Sequence, residues 1–71
     1  MTQTEKIMRH LEIYGSITPL EALEWYGIMR LASRISDLKK EGALITREIA
    51  TSRNRFGEPV RYAVYRLNKE V

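Results

Sequence analysis

Residues 18–42 read TPLEALEWYGIMRLASRISDLKKEG, and the way this stretch divides decides the fold. Thr18 is a helix-capping residue, Pro19 follows where its missing N–H costs nothing, and Glu21 completes a capping box with Thr18. A helix therefore starts near residue 19. It runs two turns with Ala22, Leu23 and Tyr26 inward and Leu20 at the edge, and Gly27 stops it. A further helix is expected from about Met29 to Glu41, ended by Gly42. Its apolar stripe is Ile28, Leu31, Ile35 and Leu38, flanked by Ala32. With Ile35 at the centre of that stripe, Arg30, Ser33, Asp37 and Lys40 fall within roughly 60° of the opposite pole, and Arg34 sits on the flank. One side of this helix is built for burial and the other for display.

Working outward, Thr2 and Glu5 have the same capping-box spacing, so an upstream helix is expected over about 3–14. Ile7, Leu11 and Tyr14 share one of its faces, with Met8 and His10 at the margins, and Gly15 ends it. The segment 16–18 is long enough only for a connector or a minimal strand. Beyond Gly42 the period changes from helical to alternating. ALITREIAT (43–51) and VRYAVYRL (60–67) are rich in β-branched and aromatic residues at every second position. Between them SRNRFGEP carries the Asn, Gly and Pro that hairpin loops require. Residues 68–71 read as a fraying end. The predicted order is α-β-α-α-β-β: an α+β domain over 1–71, three helices packed together and closed on one side by a hairpin over about 43–67.

Composition narrows the function classes. A 44% hydrophobic share spread along 71 residues is globular rather than disordered. There is no cysteine, hence no disulfide and no thiolate metal site, which fits a reducing cytoplasm. No apolar run approaches the roughly 18–20 residues of a membrane span, and no leader precedes the first helix, so a cytoplasmic location is expected. Charge is unevenly distributed. Residues 1–29 hold two basic and four acidic side chains, whereas residues 30–71 hold ten basic and five acidic. The second part is where an anionic partner would be drawn, although a basic surface also serves solubility.

Nothing in the chain makes a catalytic constellation. His10 is the lone histidine, reads as a surface or boundary residue, and has no ligand set around it. Glu21 and Glu24 are a solvated acidic face. Neither a Gly-rich phosphate loop nor a nucleophile elbow occurs. No enzymatic activity, cofactor, metal or small-molecule substrate is expected.

The residues GSITPLEALEWYGIMRLASRISDLKKEG, followed by RYAVYRL, resemble a family of small winged helix-turn-helix domains of phage, prophage and bacterial origin. The resemblance spans residues 3–67, with 19–41 matching the two-helix motif and the hairpin matching the wing. It implies double-stranded DNA binding, the third helix in the major groove and the wing loop on the backbone or minor groove, in a small transcriptional or phage-lifecycle regulator. Carried to this chain, the DNA-contacting residues are Arg30, Ser33, Arg34, Asp37 and Lys40 on the helix and Arg53, Asn54 and Arg55 on the loop. Arg can pair with guanine in a bidentate way and Ser can donate or accept. Asp37 accepts from cytosine, orients Arg30 or Arg34 through a helical salt bridge, or lies outside the groove. Phe56 either anchors the loop on the hairpin or wedges against sugars and bases. Thr18 is either a plain cap or a phosphate contact. Trp25 lies away from the stripe of its helix, so it either covers the edge of the first helix or marks an interface for a protein partner or a homodimer. A protein-interaction module built on the same fold, a subunit or an inhibitor of a host protein, is the alternative to DNA binding.

Overall fold

Two capping boxes start the first two helices. Thr2 and Thr18 each accept the backbone N–H of the residue three positions on, at 3.2 and 3.1 Å, and the carboxylates of Glu5 and Glu21 accept the cap N–H in return, both at 2.9 Å. These bonds hold the Glu5 carboxyl below its ordinary range, the Thr2 N–H contributing most. In the computed structural model, which describes residues 1–68, they open α1 (Gln3–Tyr14) and α2 (Pro19–Tyr26). Between the two lies β1 (Ser16–Ile17), and α3 (Leu31–Lys40), β2 (Ile45–Arg53) and β3 (Pro59–Leu67) follow. Residues 69–71 of the expected fraying end lie outside the described residues.

The α2–α3 junction sets the geometry of the domain. Gly27 is left-handed at φ 69. Its N–H bonds to the Leu23 carbonyl at 2.9 Å, the 5→1 bond of an αL close, and the Ile28 N–H bonds to the Ala22 carbonyl at 3.1 Å. Ile28 thereby drops into the core directly after the turn. Leu31 must be buried too, so residues 28–30 reverse the chain and helical geometry begins at Leu31, two residues later than expected. Arg30 occupies the N-cap at φ −113 and ψ 59, and its side chain makes no cap bond.

One core joins Ile7 and Leu11 of α1, Ile17 of β1, Ala22 of α2, the stripe Ile28, Leu31, Ile35 and Leu38, and Ile45 and Tyr65 of the sheet. The sheet is antiparallel with order β1-β3-β2. Its register pairs Ile17 with Tyr65 and runs from Ile45–Leu67 to Arg53–Pro59. The first hairpin strand keeps its expected length but lies two residues later, the second starts one residue earlier, and the loop between them shrinks to residues 54–58. Since β1 covers only the base of β3, the hairpin beyond the base leaves the body. Every residue from 51 to 62 is exposed.

Three expected core assignments need correction. Tyr14 and Leu23 are exposed: Tyr14 lies in the last turn of α1, and α2 is short enough that only Ala22 is fully buried on it. His10, expected at the boundary, is 1% exposed. Its Nδ1 and the Tyr26 hydroxyl are 2.7 Å apart, and the Tyr14, Trp25 and Tyr26 rings surround the imidazole. Burial holds the Tyr26 hydroxyl proton on above its ordinary range, with Tyr14 and Glu21 adding to the effect.

Leu11→Ala should lower the unfolding free energy by about 2–5 kcal/mol. Leu23→Ala, at a position the helical pattern assigns to the core, should change it by under about 0.5 kcal/mol. Urea denaturation of both variants checks the pair, and equal losses would contradict the packing described.

Candidate nucleic-acid interface

The buried stripe fixes which side of α3 is free. Ala32, Ser36, Lys39 and Lys40 are exposed along the helix, with Met29 and Arg30 exposed just before it. Ser33, Arg34 and Asp37 are half-buried. The open sector is thus rotated from the pole expected from the stripe alone towards Ala32 and Ser36. A helical projection sees only the helix's own apolar residues; it cannot see that neighbouring elements shade one flank more than the other. Ala32, Ser36 and Lys39 were missed for that reason. Both small residues permit close approach, and an alanine methyl can meet a thymine methyl.

Arg34 and Asp37 pair across one turn at 3.4 Å, so Asp37 engages Arg34 rather than standing free as an acceptor. The Arg34 Nε is buried without a hydrogen-bond partner among the described residues. Arg30 and Arg34, with Gln3, Gly27 and Met29, line an open cleft of about 320 Å3 beside the start of α3. That start has no side-chain cap, and the Arg34 N–H, bonded to the Arg30 carbonyl at 3.3 Å, closes the first helical turn. The preceding N–H groups have no carbonyl one turn back, and two arginines stand beside them, an arrangement suited to an anion. Thr18 contrasts with this. Its hydroxyl oxygen and N–H are both occupied by Glu21, which accounts for it as a cap.

The hairpin tip is held by its own side chains. The Asn54 N–H donates to the Glu58 carbonyl at 2.9 Å and the Gly57 N–H to the Asn54 carbonyl at 3.0 Å. Gly57 is left-handed at φ 79, the residue type a three-residue hairpin loop needs there. The Asn54 Oδ1 accepts from the Phe56 and Glu58 N–H groups at 2.9 and 3.0 Å, and its Nδ2 donates to the Glu58 carboxylate at 3.1 Å. Asn54 is therefore the organiser of the turn, its amide already engaged. Arg53 is the last residue of β2 and donates from Nη1 to the Gly57 carbonyl at 2.7 Å. Arg55 is exposed at the tip. Phe56 does not anchor the hairpin: it is 86% exposed.

Register finds further cations. Cross-strand partners share a face, so Arg47, Arg53 and Arg61 lie on the face that carries Ile45 and Tyr65 at its buried base. All three are exposed, Arg47 opposite Tyr65 at the base and Arg53 and Arg61 where that face leaves the body. Arg47 and Arg61 were not singled out from sequence, although strand parity alone groups them with Arg53. On the opposite face Arg66 donates to Glu48 at 2.8 Å, which neutralises both. Trp25 takes the first of the two places expected for it. Its ring sits 5.3 Å from that of Tyr14 and so covers the edge of α1, yet 51% of it stays exposed.

Among the described residues no cluster of His, Cys, Asp and Glu could hold a metal ion, and no helix is long and apolar enough to cross a membrane. A family model described as a winged helix-turn-helix domain matches residues 2–70. No curated protein sequence matches the chain.

Asn54→Ala removes the acceptor of two backbone N–H groups in an exposed turn. Amide hydrogen exchange at Phe56 and Glu58 should accelerate clearly, while global stability falls by only about 0.5–1.5 kcal/mol. Unchanged exchange at both amides would contradict the role given to Asn54.

Proposed function

The chain belongs to the winged helix-turn-helix domain family, and on that premise we propose that it binds double-stranded DNA as a small transcriptional or phage-lifecycle regulator in the cytoplasm. The observation that carries this reading is the segregation of charge. The exposed surfaces of α3 and the hairpin carry most of the arginines and lysines, whereas α1 balances Lys6 and Arg9 against Glu5 and Glu12, and α2 carries Glu21 and Glu24 with no basic residue. In this reading α3 enters the major groove. Arg30 and Ser33, with the newly recognised Ala32 and Ser36, face base edges. Arg34, oriented by Asp37, and Lys39 and Lys40 meet phosphates. Arg53, Arg55 and Arg61 follow the backbone or the adjacent minor groove.

Trp25 supports a second contact on another side of the molecule. The half-exposed indole, with the exposed Tyr14 against it, forms an aromatic surface on α1 and α2 suited to a protein partner or a second copy of the chain. One winged domain buries only about 600–1,000 Å2 on DNA, so such a contact would add to specificity as well as to affinity.

Titration of a mixed-sequence duplex at increasing salt tests the proposal. With four to six phosphates neutralised, log K should fall against log salt with a slope of about −4 to −5. Arg55→Ala should weaken all sequences and flatten the slope by about 1, whereas Arg30→Ala should relax sequence preference by about 1–3 kcal/mol. Absence of binding at about 50 mM salt would overturn the reading.

A further inference from the structure

The most exposed large apolar side chain between residues 2 and 68 has no part in the fold. Phe56 is 86% exposed at the very tip of the hairpin. The turn beneath it is closed by Asn54, Gly57 and Arg53, and Phe56 contributes only its backbone N–H. A turn so fully bonded by other groups presents this ring in a defined place. The arm that carries it is long: at about 3.3 Å per residue, the three exposed pairs from Thr51–Arg61 to Arg53–Pro59 extend roughly 10 Å before the turn begins. Arg55 directly precedes the ring, Arg53 ends β2 three residues before it with Nη1 on the Gly57 carbonyl, and the nearby Glu58 carboxylate is bonded to Asn54.

An exposed apolar ring on a tip that also carries two arginines fits a narrow cleft with apolar walls and anionic rims. The minor groove of DNA has that character: sugar C–H groups form its walls, phosphates its rims, and its depth of about 7.5 Å is less than the reach of the arm. We propose, resting on the DNA-binding reading above, that Phe56 is a wedge that enters the minor groove and partly unstacks one base step. The protein then bends its DNA, and it prefers a flexible pyrimidine–purine step beneath the wing. Such steps unstack most easily, which makes the wing a reader of deformability rather than of base edges. The favoured step lies about 5 base pairs from the centre of the α3 contact, half of a helical turn.

Duplexes with a TA or a GC step under the wing, each carrying 2-aminopurine in place of an adenine next to that step and labelled at both ends for energy transfer, test the wedge with the full chain. The unaltered protein should raise 2-aminopurine emission at the TA step and bend the duplex by about 20–90°. It should also bind the TA duplex about tenfold more tightly than the GC duplex. Phe56→Ala should abolish the emission change, the bend and the TA preference while keeping the salt slope, and Phe56→Leu should restore most of all three. A circular dichroism spectrum unchanged in both variants guards against misfolding. If Phe56→Ala bends and discriminates like the unaltered protein, the wedge is overturned, the tip is left to a protein contact, and DNA binding still stands on its salt slope. If the unaltered protein binds no duplex, the DNA-binding reading fails and the wedge with it.

Discussion

Burial of Ile28 and Leu31 on either side of a turn closed at Gly27 is the constraint on which this domain depends. Two large aliphatic side chains three residues apart must both reach one core, and the helix before them must end within a single residue. A left-handed glycine is the inexpensive solution, because a side chain there would meet backbone strain even though open space surrounds the position. From that turn follow the direction of α3, its rotational setting and the placement of Arg30 at an uncapped helix start. The hairpin is then held against the same core by Ile45 and Tyr65, so helix and wing are oriented by one set of contacts.

The elements themselves were largely legible in the sequence, since each is announced by local chemistry. The two Thr–Glu boxes, Pro19, the glycines after α1 and α2, and the change of period at Gly42 act within a few residues of the boundaries they set. The winged helix-turn-helix fold, with its order α-β-α-α-β-β, follows from them and agrees with the family match. Misreadings arose wherever an answer depended on residues distant in the chain. His10 is polar and looked marginal, yet Tyr26 from another helix supplies its partner and three aromatic rings exclude water. Tyr14 and Leu23 fit the apolar pattern, but their neighbours leave about half of each side chain in water.

The candidate site was legible to the level of elements and less so to the level of side chains. That α3 and the hairpin tip would carry the exposed cations is visible from charge distribution. Which face of α3 is open depends on unequal shading by its neighbours. Which wing arginines share a face depends on pairing register, and Asn54 could be seen as a turn residue without revealing that its amide is fully used. Side chains that serve the turn and side chains that face outward have the same composition; only the bonds separate them.

The strand order has a further consequence for how the molecule behaves in company. β2 lies at one border of the sheet, and β3 is covered by β1 only at its base, so two lengths of ladder face water with unpaired main-chain groups. Such borders invite another chain to add a strand. Here the exposed lengths carry Arg47, Glu48, Arg53 and Arg61, and β3 opens with Pro59, which has no N–H to offer. A second copy approaching these borders would bring like-charged guanidinium groups together. The arginines exposed on the hairpin are therefore also side chains that blunt its open borders against edge-to-edge pairing.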